Sequence, residues 1–107
     1  MPRDDHEQLT DERRELDERI DEKRRRLGER IADFRAPLGI SQEQLAEMAG
    51  ISRRSVQRIE AGMADPRFGD QLRIAAILGV PLSVLIQGLD DVRPRPSATG
   101  EADEQGL

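Results

Sequence analysis

The chain has no cysteine, tryptophan or tyrosine, and only two phenylalanines among its 107 residues. Without cysteine there is neither a disulfide framework nor a cysteine-based zinc site, and no thiol nucleophile. Without Trp and Tyr the chain has few platforms on which single-stranded bases could stack. Histidine is represented by His6 alone, in a highly charged stretch with no serine placed near it, so no general-base pair is expected. The acidic runs lack the glycine-containing pattern of a calcium loop. No catalytic residue, metal or cofactor is therefore expected.

Long apolar runs are also missing. The most apolar stretch, residues 74–86, is interrupted by Gly79 and Pro81 and falls short of the roughly 20 residues that span a bilayer. The first residues are dominated by charge and do not resemble a signal peptide. A cytoplasmic protein with no membrane attachment is the expectation.

What is present is charge: 36% of residues are charged and 36% hydrophobic, with a net charge of −5. Its distribution along the chain is uneven. Residues 1–26 hold 8 basic and 10 acidic groups, residues 90–107 hold 2 and 5, and the stretch between holds 7 of each. The middle of the chain is thus neutral overall, and what its charges do depends on how they segregate by face.

Three regions follow. Residues 1–26 form a charged helical extension, free of Gly and Pro from residue 3. Leu9, Leu16, Ile20 and Leu27 fall on a seven-residue frame, with Leu9 and Leu16 at d positions and Ile20 and Leu27 at a positions. His6 and Arg13 take the other a positions and Lys23 the next d. Two readings stand: a short coiled coil that dimerises the protein, or a solvated helix held by i,i+4 ion pairs. The run Lys23-Arg24-Arg25-Arg26 reads as the charged flank of that helix or as a phosphate contact. Residues 90–107, with Pro94, Pro96, Ser97, Thr99 and Gly100 among acids, read as a disordered acidic tail.

Residues 27–89 carry the periodic pattern of an all-α domain of five helices. Leu27, Ile31, Phe34 and Leu38 have helical spacing, and Pro37 with Gly39 closes the first helix. Ser41 and Gln44 form a capping-box pattern before a helix carrying Leu45, Ala46 and Ala49, which stops at Gly50. Ser52 is the next N-cap, and the third helix runs to about Ala61 with Gly62 beyond it. Phe68, Leu72, Ala75 and Leu78 define a fourth helix ending at Gly79, and Pro81 opens a short fifth through Ile86.

Two short helices around a glycine turn are the geometric core of a helix-turn-helix. With Val56 and Ile59 turned inward, Arg53, Arg54, Gln57 and Arg58 form a stripe on the opposite face of the third helix. Arginine can donate paired hydrogen bonds to guanine, and glutamine can pair with adenine in the major groove.

The runs Leu38-Gly39-Ile40-Ser41-Gln42-Glu43-Gln44-Leu45-Ala46-Glu47-Met48-Ala49-Gly50-Ile51-Ser52 and Ser55-Val56-Gln57-Arg58-Ile59-Glu60-Ala61-Gly62 resemble the lambda-repressor-like helix-turn-helix family, which includes Cro and xenobiotic-response-element-type regulators. Leu78-Gly79-Val80-Pro81-Leu82 resembles the approach to that family's fifth helix. The likeness spans residues 27–89. It implies a transcriptional regulator, expected to be a repressor, that binds double-stranded DNA at an inverted-repeat operator as a homodimer. It further implies base reading by Arg53, Arg54, Gln57 and Arg58, with Ser41, Gln42, Ser52 and Ser55 at phosphates or the rim. Arg35 and Glu60 match a structural ion pair of some relatives. Pro37 and Gly69 depart from the usual pattern, and the short stretch beyond the fifth helix leaves an inducer-sensing domain unexpected.

The alternative is an antitoxin-like or bridging protein-interaction module, in which residues 1–26 hold a protein partner and DNA binding serves autoregulation. Should residues 1–26 not dimerise the chain, Leu82, Leu85 and Leu89 around the fifth helix are the next candidate surface.

Overall fold

A computed structural model describes residues 5–90. Among them are five α-helices and no strand: α1 (Asp5–Arg35), α2 (Gln42–Ala49), α3 (Arg53–Glu60), α4 (Phe68–Leu78) and α5 (Leu82–Leu85). Of the expected acidic tail, residues 90–107, all but Asp90 lie outside the described residues.

From Asp5 on, the charged extension and the first helix of the domain are one unbroken helix of 31 residues. No proline precedes Pro37 in this stretch, the glycine at position 28 is buried where α1 packs on its own domain, and the flanking charges pair along the helix. Arg25 meets Glu22 at 2.8 Å, Arg26 meets Glu22 at 3.5 Å and Arg14 meets Asp11 at 3.4 Å. From residue 5 to residue 22 no side chain is buried, whereas Gly28 and Ile31 are.

The end of α1 differs from expectation. The helix stops at Arg35 and passes into a single 3-10 turn, Ala36–Leu38, with Pro37 inside it. Proline lacks the N–H that an α-helical turn would use and crowds the carbonyl four residues back. Leu38 is thereby carried off the apolar stripe and is 52% exposed.

Local signals set the next three boundaries. The Ser41 side chain accepts from the Gln44 N–H at 3.0 Å while the Gln44 side chain accepts from the Ser41 N–H at 2.8 Å. Gly50 ends α2 at φ 72°, a left-handed conformation that a Cβ would strain, and its N–H returns to the last turn. The Ser52 hydroxyl oxygen accepts from the Ser55 N–H at 3.0 Å and starts α3.

Ile31, Leu45, Val56, Ile74 and Leu85, one from each α-helix, are almost completely buried and meet at the centre. Ala46 and Ala49 on α2 and Ala75 on α4 are also buried, and their small side chains let the helices lie close.

Helix α4 is rotated from the face its spacing suggested. Ile74, Ala75 and Leu78 are buried, while Phe68 and Leu72 are 67% and 46% exposed. Polar bonds hold that rotation. The Arg73 Nε donates to the Ala49 carbonyl at 3.1 Å, and Gln71 donates to the Pro66 carbonyl at 3.1 Å.

Of the leucines named for the alternative dimer surface, Leu85 and Leu89 are buried within their own chain and Leu82 is partly buried against the core.

Candidate nucleic-acid interface

Helix α3 has eight residues and two distinct faces. Val56 and Ile59 are buried at 1% and 5% exposure, which fixes the rotation of the helix. Arg53, Arg54, Gln57 and Arg58 are all exposed on the other side. No hydrogen bond or ion pair joins the side chains of Arg53, Arg54 or Gln57 to another described residue. Arg58 donates one Nη2 bond to the Met63 carbonyl at 2.9 Å and keeps further N–H groups.

Glu60, at the end of α3, binds three elements together. Its Oε2 accepts from Arg35 Nε at 2.8 Å and its Oε1 from Arg35 Nη2 at 2.9 Å. The same Oε1 accepts from Gln42 Nε2 at 2.8 Å, and Arg35 Nη1 donates to the Ile40 carbonyl at 2.9 Å. The Glu60 side chain is 6% exposed and that of Arg35 18%. The hydrogen bond to Glu60 holds the Arg35 guanidinium above its ordinary pKa, against the effect of burial. A carboxylate so engaged is removed from the exposed face of α3, and the Gln42 amide points into the domain.

Ser41 is exposed at the N-terminus of α2, and the Ser52 and Ser55 hydroxyls hydrogen-bond each other at 2.9 Å at the start of α3. Ser55, Arg58 and Arg67 line one open cleft between α3 and the start of α4. Arg67 was not singled out by sequence. It is exposed beside Asp70, whose carboxylate accepts from the Arg67 backbone N–H at 3.3 Å. An Arg directly before the fourth helix was its only sequence signal.

Gly28 was missed too. Helix α1 crosses the end of α3 so closely there that a Cβ on Gly28 would overlap the carbonyl oxygens of Ile59 and Glu60. One turn earlier, a Cβ on Gly62 would lie 2.7 Å from the Arg25 Cγ and 2.8 Å from its Cα. Arg24 clamps the same region, with its Nε 2.5 Å and its Nη2 2.9 Å from the Asp65 carboxylate. It also pairs with Asp21 on its own helix.

The family model described as helix-turn-helix matches residues 31–85, which runs from the end of α1 through α5 and includes the whole of α2 and α3. The chain belongs to the lambda-repressor-like helix-turn-helix family. Within the family, it is similar to a protein of Methanocaldococcus jannaschii that carries the provisional name of an HTH-type transcriptional regulatory protein. The two are 40% identical over 55 residues, which is 51% of this chain and 16% of that protein. The likeness therefore concerns the helix-turn-helix unit, and the chain spans a small part of that relative's length.

Among the described residues no helix is long and apolar enough to cross a membrane.

Proposed function

We propose that the chain is a sequence-specific, double-stranded DNA-binding transcriptional regulator that reads the major groove with α3. The observation that carries this reading is the exposed stripe of Arg53, Arg54, Gln57 and Arg58 opposite the buried Val56 and Ile59. A helix so rotated offers three guanidinium groups and an amide at the spacing of one face. Bidentate contacts of this kind each contribute about 1–3 kcal/mol of discrimination between bases. The relative's name, which says that it is an HTH-type transcriptional regulatory protein, points the same way.

Phosphates flank this reading surface. Ser41, Ser52 and Ser55 supply hydroxyls, and the first-turn N–H groups of α2 provide an anion site at Gln42, whose side chain is committed to Glu60. Arg67 joins them as a further phosphate contact from the α4 side of the cleft.

The working unit is a homodimer. Two copies of α3 occupy successive major grooves of an inverted repeat, with half-sites about 34 Å apart. The output is repression by occlusion of polymerase. Net negative charge outside the domain lowers non-specific attraction to DNA and makes operator choice depend more on base contacts.

Selection from random duplex DNA at about 0.15 M salt, a concentration that leaves phosphate contacts partly effective, tests the reading. A guanine-containing inverted repeat is expected from the native chain and none from the Arg53/Arg54/Arg58 triple alanine variant. A folded native chain that selects no motif would overturn it. That result would favour the interaction-module alternative, for which the open face of Leu9 and Leu16 on α1 is the supporting observation.

A further inference from the structure

The apolar stripe of α1 has two fates. Its C-terminal members, Leu27, Ile31 and Phe34, pack into or against the domain core. Its N-terminal members remain open, with Leu9 60% and Leu16 40% exposed and Ile20 half-buried. The projecting half of the helix carries these residues at coiled-coil spacing, and it continues from a segment already anchored in the fold. Helix nucleation, the costly step for a short isolated segment, has therefore been met before any partner arrives.

Resting on the homodimer reading above, we infer that residues 5–26 of α1 pair antiparallel with the same segment of a second copy. The charges beside the stripe choose the direction. In a parallel pair, g positions face the partner's e positions five residues on. Glu12 would then face the partner's Asp17, a like-charge contact occurring twice by symmetry. Arg19 would face the partner's Arg24, whose guanidinium is already held by Asp65 and Asp21 and so offers Arg19 no favourable contact.

Reversing one helix changes the pattern. With Leu9 set opposite the partner's Ile20, Leu16 lies opposite the partner's Arg13, whose methylene stem covers it while the guanidinium reaches water. The g positions now face each other. Glu12 lies beside the partner's Arg19, and Asp5 beside the partner's Arg26. All four contacts are of opposite sign. The e-position neighbours, Thr10 and the partner's Asp17, add no like-charge pair. Leu27 is not needed by this register, which is consistent with its place against the core.

The register also sets a distance. Its two-fold axis falls midway between residues 14 and 15, so Gly28, where α1 crosses α3, lies roughly 20 Å from the axis along the helix. The two domains sit at opposite ends of the pair, with their Gly28 residues about 40 Å apart along it. That span is close to one turn of B-DNA. A two-fold axis perpendicular to the helices is also the relation that two half-sites of an inverted repeat require. The continuous α1 thus acts as a ruler between two reading heads.

Single cysteines in this cysteine-free chain provide the test. Under oxidation, an equimolar mixture of L9C and I20C chains is expected to give the mixed disulfide, with little homodisulfide from L9C alone. In the antiparallel register the two copies of residue 9 lie roughly 16 Å apart, too far for a disulfide. Ready L9C homodisulfide would overturn the orientation while leaving a homodimer. No disulfide in any combination, with a monomer mass by sedimentation equilibrium, would overturn pairing through α1 altogether. DNA selection by the same preparations separates that failure from the failure of the regulator reading. A monomer that still enriches a guanine-containing half-site retains α3 as the reader, whereas one that enriches nothing loses both.

Discussion

Arg35 and Glu60 join the last residue of α1 to the last residue of α3 through two hydrogen bonds of 2.8 and 2.9 Å, in a site where both side chains are largely shielded from water. Glu60 also accepts from Gln42 of α2, so one carboxylate ties three helices beneath the exposed face of α3. Removing one partner leaves the other charged and poorly solvated. Glu60→Ala is expected to destabilise the domain by about 3 kcal/mol, read by urea denaturation. In the Arg35→Met/Glu60→Ala double variant the loss should be smaller than the sum of the two single losses. Additive losses would show that the pair contributes nothing beyond its separate residues.

Gly28→Ala is expected to destabilise by about 1–3 kcal/mol, a typical cost of overpacking. Here the obstacle is backbone, the carbonyls of Ile59 and Glu60, which cannot swing aside as a side chain could. A thermal melt measures the loss. Because the strain falls at the end of α3, affinity for the selected DNA site should also fall at temperatures where the variant is fully folded.

Arg54→Ala and Arg67→Ala should fail differently. The first is expected to relax the preference at one base position, at a cost of about 1–3 kcal/mol for the native base. The second should weaken binding to all sequences alike and reduce the salt slope by about one. Affinities measured on the selected site and on its single-base variants, across a salt series, distinguish the two. Reversed behaviour would exchange their roles.

Acid should loosen the clamp between α1 and the segment that follows α3. Hydrogen bonding to Arg24 holds the Asp65 carboxyl below its usual value of 3.8. A carboxylate stabilised in the folded state contributes fully above its unfolded pKa, and the contribution is lost as pH falls through the lower folded value. The Asp65 side chain is 65% exposed, so the effect is small and is screened by salt. Asp65→Asn should therefore lower stability slightly and evenly near neutral pH, with the difference from the native chain starting to shrink near about pH 4 and disappearing only once the pH lies below the depressed folded value. Urea midpoints across pH give the comparison.

Most of the helix-turn-helix was legible in the chain because its signals are local. Ser41 with Gln44, Gly50 and Ser52 act on backbone groups within a few residues of themselves, so their meaning survives without knowledge of the fold. The burial of Val56 and Ile59 follows from spacing, and it leaves the four exposed polar residues only one face to occupy. The likeness to a known family rested on the same short runs.

What spacing could not supply was the choice between faces that are equally periodic. Phe68 and Leu72 were as apolar as Ile74 and Ala75, and bonds from Arg73 and Gln71 to the distant Ala49 and nearby Pro66 carbonyls accompany the rotation that exposes the first pair. Leu38 fell off its stripe because Pro37 replaced an α-turn with a 3-10 turn. Gly28 looked like an ordinary helical glycine until α3 was seen pressed against it.

By itself the sequence determined where each short helix begins and ends and which residues of α3 are polar, since caps, glycine turns and periodicity are settled within a turn or two of backbone. Only the tertiary structure decided which apolar side chains are spent on the core, how closely α1 meets α3, and that the charged extension and first helix are one rod. Those depend on contacts between residues far apart in the chain, whose energies no local pattern contains.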